Sequence, residues 1–303
     1  MKTKIFFLLL TGLSIGYSSK AQKFDNSVCW EIRQSKNSYP SYIFGSIHLL
    51  DTTKVRFPIE KIKGLIDKTG MLCLEISGAD FKLVSEKLGI KMYLDGDKRE
   101  KSISNSLDEV HLKKLQLMID SSNDFFKGFK DMLDYIKPSF LTTMITLEKQ
   151  LSTSNEFSRS KFNPEGFFTQ YCESKSIAVK GLETADEQVD LVVKPSLSFD
   201  KAIEELKKSI DDFNKTKTDV DMFFNYSNQN LKLLPKKEYS DSTMISRNTN
   251  MANGIDRLLK NNSLFIMIGA AHLPYQHGIL NLLAKKGYYI KPYFINLKKE
   301  WTN

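Results

Sequence analysis

Two of the four histidines in the chain stand in matching sequence contexts. His48 ends the segment Tyr42-Ile-Phe-Gly-Ser-Ile-His, and His272 ends the segment Phe265-Ile-Met-Ile-Gly-Ala-Ala-His. Each segment is a short apolar run, typical of a strand, followed by glycine, two small or apolar residues and histidine. The glycine lets backbone approach a site closely, because it has no Cβ. The repeated context makes both histidines candidate ligands of a divalent metal ion, with a hydrogen-bonded structural turn as the alternative for each.

Two glutamates also close apolar segments. Glu75 follows Leu72-Cys-Leu, and Glu183 follows Ala178-Val-Lys-Gly-Leu. Since a carboxylate is almost never buried without a partner, Glu75 is expected to face a cation, a proton or a metal. Glu183 has a second interpretation, which is capping of a helix that begins near Thr184. Ligands of open α/β sheets bind at the carboxyl ends of strands, so the two glutamates and the two histidines could converge on one ion such as Zn, Mn, Fe or Co.

Other polar residues are less specific. Arg247, followed by Asn248, could clamp a carboxylate or phosphate with two hydrogen bonds, and a surface ion pair is the alternative. Gln188 is either a site residue or an amide on a helix surface. His111 lies in a polar helical region and is predicted to be solvated. His277 comes five residues after the second candidate histidine, a spacing that does not place the two on one helix face.

The chain has three cysteines, Cys29, Cys73 and Cys172, and none forms a metal-type pair such as Cys-x-x-Cys. Two arrangements fit this number. One is a disulfide with one thiol left over, and the other is three buried free thiols. Cys73 lies within an apolar run, where a small core residue is expected. No cysteine has a histidine nearby in the sequence, so we do not predict a cysteine nucleophile.

The elements that position these residues follow from the apolar pattern. Strands are predicted at 28–32, 42–45, 71–76, 177–182, 264–268 and 288–295, and helices at 58–67, 242–259 and 274–286. Residues of about 80–175 and 199–260 are predicted to be mainly helical, with one helix opened by Pro138 and another that presents Leu107, Val110, Leu112, Leu115 and Met118 on one face. A strand, helix, strand order favours parallel pairing. The predicted fold is α/β, with a large helical insertion in a single domain over 22–303.

Composition and charge set the protein class. The chain has 303 residues, 41% of them hydrophobic and 26% charged, which indicates a globular protein and excludes a disordered, collagenous or polytopic membrane protein. Residues 1–21 have the form of a secretory signal peptide, with Lys2 and Lys4 ahead of the apolar stretch 5–16 and small residues at Ser19 and Ala21. An uncleaved anchor is the alternative.

Cleavage after residue 21 would leave 41 basic and 36 acidic residues, a mature charge of about +5 instead of the formal +8 of the whole chain. That charge is too small and too evenly spread to indicate nucleic-acid binding. We expect export, to a bacterial periplasm, with no stable membrane anchor after cleavage.

Several segments together resemble the TraB/PrgY/GumN family, whose members are related to the Tiki metalloproteases, and the likeness is closest to the GumN branch. They occur in family order over about 28–294, namely Cys29-Trp-Glu-Ile32, Ile43-Phe-Gly-Ser-Ile-His48, Leu72-Cys-Leu-Glu-Ile76, Gly181-Leu-Glu-Thr184, Glu187-Gln188, Arg247-Asn248 and Gly269-Ala-Ala-His-Leu273. Ser46 stands where the family commonly has threonine, and both residues keep a hydroxyl.

The resemblance implies a pseudo-symmetric central sheet with both Gly-x-x-His motifs and paired glutamates in one pocket. Carried over by motif position, the metal site consists of His48, Glu75, Glu183 and His272. The resemblance also implies a divalent ion such as Mn or Co, with Zn as a further candidate, and hydrolysis of a peptide bond.

These expectations combine into an exported metal-dependent hydrolase that acts on a peptide or related amide. In that mechanism the metal lowers the pKa of a bound water toward ~7 and polarises the scissile carbonyl. Glu75 serves as general base, and Arg247 neutralises the developing negative charge. Glu183 is a third ligand or an orienting partner.

Two alternatives come from other classes of protein. The same pocket in a non-catalytic periplasmic binding protein would capture a metal, a haem-like ligand or a peptide, and the helical insertion would act as a lid. In an interaction partner, the helical middle of the chain would dock another envelope protein through an exposed apolar patch.

Overall fold

The computed structural model describes residues 24, 26–36, 38–94, 101–122, 124–152, 161–194, 196–213, 220–233 and 238–298. The predicted signal peptide, 1–21, lies outside the described residues. Within the described part, no helix combines the length and the apolarity that a membrane span needs.

A six-stranded mixed sheet forms the centre of the fold, which confirms the α/β class. The strands are β1 (Cys29–Arg33), β2 (Ser41–Ser46), β4 (Met71–Leu74), β6 (Ala178–Gly181), β7 (Leu264–Gly269) and β8 (Tyr289–Pro292). Their order across the sheet is β6-β4-β7-β2-β1-β8. The first four strands in that order run parallel to one another, whereas β1 pairs antiparallel with both of its neighbours.

A two-stranded antiparallel ribbon, absent from the sequence prediction, lies beside the main sheet. It pairs β3 (Leu50–Asp51) with β5 (Lys161–Phe162). β3 follows the segment that leaves β2, and β5 directly precedes helix α7 (Pro164–Ser174). The ribbon therefore joins two parts of the chain that are far apart in sequence.

Helices cover the sheet and extend into a separate helical unit. They are α1 (Ile59–Ile66), α2 (Gly78–Lys91), α3 (Ile103–Ser106), α4 (Glu109–Ser121), α5 (Asp124–Lys127), α6 (Pro138–Ser152), α7, α8 (Ala185–Val193), α9 (Phe199–Asp212), α10 (Val220–Ser227), α11 (Ser242–Leu259) and α12 (Ile279–Lys285). The bounds predicted for α11 match the observed ones.

Two hydrophobic cores result. The larger one surrounds the sheet and contains Trp30, Phe44 and Phe265. The smaller one lies among α3, α4, α6 and α9, and contains Leu115, Ile119, Phe140, Leu141 and Leu206. The helices of this second core thus bury apolar side chains against one another.

Some boundaries differ from the prediction. Leu107 lies before α4, which begins after its N-cap Asp108, although it is buried in the second core. Val110 is in α4 but is 61% exposed, so it does not share the face of Leu115 and Met118. The last helix begins at Ile279 and not at Pro274, because Tyr275 adopts a φ of 69°, which interrupts a helix. Strand β8 ends at Pro292, three residues earlier than predicted.

Candidate functional site

All four predicted ligands lie at the carboxyl ends of neighbouring parallel strands. Glu183 follows β6, Glu75 follows β4, His272 closes the 3₁₀ turn after β7, and His48 follows β2. These are the four consecutive parallel strands of the sheet. Because parallel strands end at the same edge, the topology gathers the four residues on one side of the sheet.

Glu75 is the centre of the group. Its Oε1 accepts a hydrogen bond from the backbone N–H of Gly269 at 2.6 Å, and its Oε2 accepts one from Nη2 of Arg247 at 2.9 Å. The same Oε1 lies 3.7 Å from Nε2 of His272 and 4.0 Å from Nε2 of His48. Burial alone would raise the pKa of Glu75, but the nearby cationic groups and the Gly269 N–H hold the pKa below its ordinary value.

His272 is buried, and its partner fixes which nitrogen carries the hydrogen. Asn248 donates through Nδ2 to the carbonyl oxygen of His277 at 2.9 Å, so its Oδ1 is free to accept. Nδ1 of His272 lies 2.6 Å from that oxygen and must be the donor. Burial lowers the pKa of His272 to about 4. The neutral ring therefore presents the lone pair of Nε2 toward Glu75.

His48 is held by a carboxylate that the sequence analysis did not single out. Its Nδ1 lies 3.0 Å from Oε1 of Glu165, and Ser46 Oγ donates to the same oxygen. The hydrogen bond to Glu165 raises the pKa of His48. Because the imidazole is 62% exposed, solvent screens part of that effect. Glu165 lies in the first turn of α7 after Asn163-Pro164, where an acidic residue is the ordinary complement of the helix dipole, so its sequence gave no sign of another role.

Arg247, which is partly exposed, and the buried Glu183 form a bidentate pair beside Glu75. Nε of Arg247 donates to Oε1 of Glu183 at 2.6 Å, and Nη2 donates to Oε2 at 2.9 Å. Gln188 Nε2 also donates to Oε2 of Glu183. Both oxygens of Glu183 are thus occupied by protein donors, and its side chain is 2% exposed. The N-cap of α8 is Thr184, with Glu187 completing a capping box, so Glu183 does not cap that helix.

A model of the TraB/PrgY/gumN family matches residues 28–292. The chain belongs to this family. Comparisons with curated proteins and with solved structures found no match. The matched span of the TraB/PrgY/gumN model contains every residue of the site described above, together with the whole six-stranded sheet.

The two motif glycines of this TraB/PrgY/gumN chain have different surroundings. A Cβ placed on Gly45 would lie 2.9 Å from both Cα and Cβ of Ala270, so this glycine permits close packing between β2 and the turn after β7. A Cβ on Gly269 would lie 3.0 Å from Oε1 of Glu75, 3.4 Å from Cδ2 of His272 and 3.7 Å from Nε2 of His48. The space beside Gly269 is therefore bounded by the three site residues.

The donors around that space fit a divalent ion in their chemistry. Two imidazole nitrogens face one ionised carboxylate oxygen, and protein ligands that share an ion at about 2.1 Å are at most about 4.2 Å apart. The two nitrogen-to-oxygen distances, 3.7 and 4.0 Å, lie within that limit. Among the described residues, no three His, Cys, Asp or Glu side chains are already arranged as a metal-holding group.

Proposed function

We propose that the chain is a divalent-metal-dependent hydrolase that acts on a peptide or related amide bond. The observation that carries the proposal is the convergence of two imidazole nitrogens on Oε1 of Glu75, beside the partly buried Arg247. The relation of this family to the Tiki metalloproteases, which the sequence resemblance implies, suggests the peptide or amide class. The signal-like segment 1–21 supplies the expectation of a periplasmic location.

His48, His272 and Glu75 are the residues that would hold the ion. Neutral imidazole and carboxylate are the ligand types of Mn, Co and Zn, which remain the candidate metals. When bound, such an ion would act as a Lewis acid on a carbonyl and would lower the pKa of water. The low pKa of Glu75 favours a ligand role over that of general base, because a base works best with a pKa near the operating pH.

Arg247 would stabilise negative charge that develops on the substrate carbonyl oxygen. Its guanidinium is held by Glu183 through two hydrogen bonds, and Gln188 in turn holds Glu183. This fixed geometry means that no reorganisation is needed as charge develops. The same contacts favour the orienting role for Glu183 over the role of third ligand.

Metal content tests the site directly. The mature protein, His48→Ala and His272→Ala would each be dialysed and measured by plasma emission, with Mn, Co and Zn supplied in turn. We expect about one ion per chain in the wild type and little in either variant. His111→Ala is the matched control, because its imidazole binds Asp108 and Asp211 in the helical insertion and should leave the metal content unchanged.

Glu75→Gln separates the two roles considered for Glu75. If Glu75 is a ligand, this substitution should weaken metal affinity by more than roughly 10–100-fold, which is typical of losing a residue that only holds a ligand in place. Retained metal affinity with lost cleavage of a peptide library would instead restore the role of general base. If the wild-type protein binds an ion but cleaves no peptide, the result would favour the alternative of a non-catalytic metal-binding protein.

A further inference from the structure

We propose that Glu165 is a positioning residue for His48, holding the ring so that Nε2 faces Glu75. The inference deepens the proposed function, since it rests on His48 as a ligand of the ion. It concerns a residue in α7, a helix that carries no other part of the site.

The contacts of Glu165 are concentrated on one segment of the chain. Its Oε1 accepts from Ser46 Oγ and lies 3.0 Å from Nδ1 of His48, so one oxygen holds two residues of the Gly-Ser-Ile-His segment. The segment and Glu165 are separated by well over a hundred residues in sequence. The β3–β5 ribbon brings them together, because Leu50 pairs with Phe162 just beyond His48 and just before α7.

The two oxygens of Glu165 differ in what they contact. Oε2 is buried and has no hydrogen-bond partner among the described residues. A buried carboxylate oxygen without a partner destabilises the folded state. The hydrogen bonds of Glu165 to the described residues are thus made by the oxygen that faces Ser46 and His48.

The geometry also separates positioning from ligation. Glu165 contacts Nδ1 of His48, whereas Nε2, at the other side of the ring, faces Oε1 of Glu75. An ion on Nε2 is therefore out of reach of the oxygen that binds Nδ1. A carboxylate on the far nitrogen of a ligating histidine fixes the ring orientation and makes the histidine a better ligand.

His272 has a different partner for the same purpose, the amide oxygen of Asn248. One histidine is thus held by a neutral group and the other by a charged group. The carboxylate suits the more exposed ring, because a charge-assisted hydrogen bond is stronger than one to an amide.

The test uses the full mature chain with Glu165→Ala and Glu165→Gln, and Glu173→Ala as the control. Glu173 is exposed near the other end of the same helix, so its replacement removes the same charge away from the site. Mn²⁺ affinity would be measured by titration calorimetry. We expect a roughly 10–100-fold loss for Glu165→Ala and a smaller loss for Glu165→Gln, whose amide oxygen still accepts from Nδ1 but carries no charge. Glu173→Ala should bind as the wild type does.

A second readout needs no metal. Long-range ¹H–¹⁵N spectra report which nitrogen of His48 carries the hydrogen when they are recorded at a pH high enough for the ring to be neutral. The spectrum of His48→Ala assigns the signal. We expect the hydrogen on Nδ1 in the wild type and a shift toward Nε2 in Glu165→Ala. The melting temperature of each variant, compared with its Mn²⁺ affinity, separates a loss of positioning from a loss of stability.

An unchanged His48 signal in Glu165→Ala would overturn the positioning role. A lower melting temperature with unchanged Mn²⁺ affinity would overturn it too, and would make Glu165 a structural residue. If the wild type binds no ion at all, the proposed function fails by itself, and the His48 signal alone then decides the role of Glu165.

Discussion

Gly45 and Gly269 occupy equivalent places in the two Gly-x-x-His segments, yet their neighbours differ. Gly45 faces backbone and Cβ atoms of Ala270, whereas Gly269 faces Oε1 of Glu75 and the rings of the two histidines. The first glycine is thus required by the packing of two strands, and the second keeps the space between the proposed ligands open. The same motif position serves the fold in one copy and the site in the other.

Alanine substitutions at these glycines should separate stability from metal binding. Gly45→Ala should lower the free energy of unfolding by about 1–3 kcal/mol, because backbone atoms of Ala270 would have to move. Gly269→Ala should weaken Mn²⁺ binding by about tenfold or more, a loss of about 1.4 kcal/mol, with a smaller effect on unfolding. Denaturant unfolding and titration calorimetry measure the two effects.

Gly64→Ala provides the control, because a Cβ there meets nothing within 4 Å in helix α1. It should raise the free energy of unfolding by about 0.5–1 kcal/mol and leave metal binding unchanged. Wild-type Mn²⁺ affinity in Gly269→Ala would show that the ion does not occupy the space beside Gly269.

At the scale of elements, the strand ends are what the sequence could reveal. An apolar run followed at once by histidine or glutamate is a local pattern, so β2, β4, β6 and β7 and their terminal residues were all predicted. Glu165 was missed because its role depends on the β3–β5 ribbon, whose strands have two residues each and leave no periodic signal. The roles of Asn248 and Gln188 were undecided for the same reason, since their partners lie on other elements.

A buried hydroxyl on helix α10 donates a hydrogen bond to the backbone of the Gly-Ser-Ile-His segment. Tyr226 of α10 donates through Oη to the carbonyl oxygen of Gly45 at 2.6 Å. Tyr226→Phe would leave that carbonyl without the donor, so we expect a loss of about 1–3 kcal/mol in the free energy of unfolding. Tyr39→Phe, at a residue that is 89% exposed, should change it by less than about 0.5 kcal/mol. Equal effects in the two variants would contradict the importance of the Tyr226 contact.

At the scale of the whole molecule, all three cysteines are free and buried, which is the second of the two arrangements that the sequence allowed. Burial raises the pKa of Cys29 and Cys73, the latter to about 12, and raises that of Cys172 to about 11. Since the thiolate is the reactive form, each cysteine is protected from reaction in two ways. Burial keeps reagents away from the sulfur, and the raised pKa keeps the thiol protonated.

We therefore expect no native thiol to react with Ellman's reagent at about pH 8, and three thiols per chain to react after unfolding in guanidinium chloride. Reactivity should stay absent as the pH rises toward 9, because a raised thiol pKa keeps the neutral form dominant below it. A count of one thiol after unfolding would mean that two cysteines are joined by a disulfide. The thiol count of the same sample after unfolding in guanidinium chloride is the control for the native measurement, because it shows that the reagent works.

The position of β7 in the sheet determines how early the site can assemble while the chain is being synthesised. β7 comes from the last part of the sequence but lies between β4 and β2, both of which come from the first quarter. A growing chain therefore has β2 and β4 available long before the strand that pairs with both, and these pairings are long-range contacts of the kind that form slowly. His48 and Glu75 cannot meet His272 until that late strand is inserted. The chemistry proposed for this site thus requires the chain through β7 and His272, and a chain that ends before β7 lacks it.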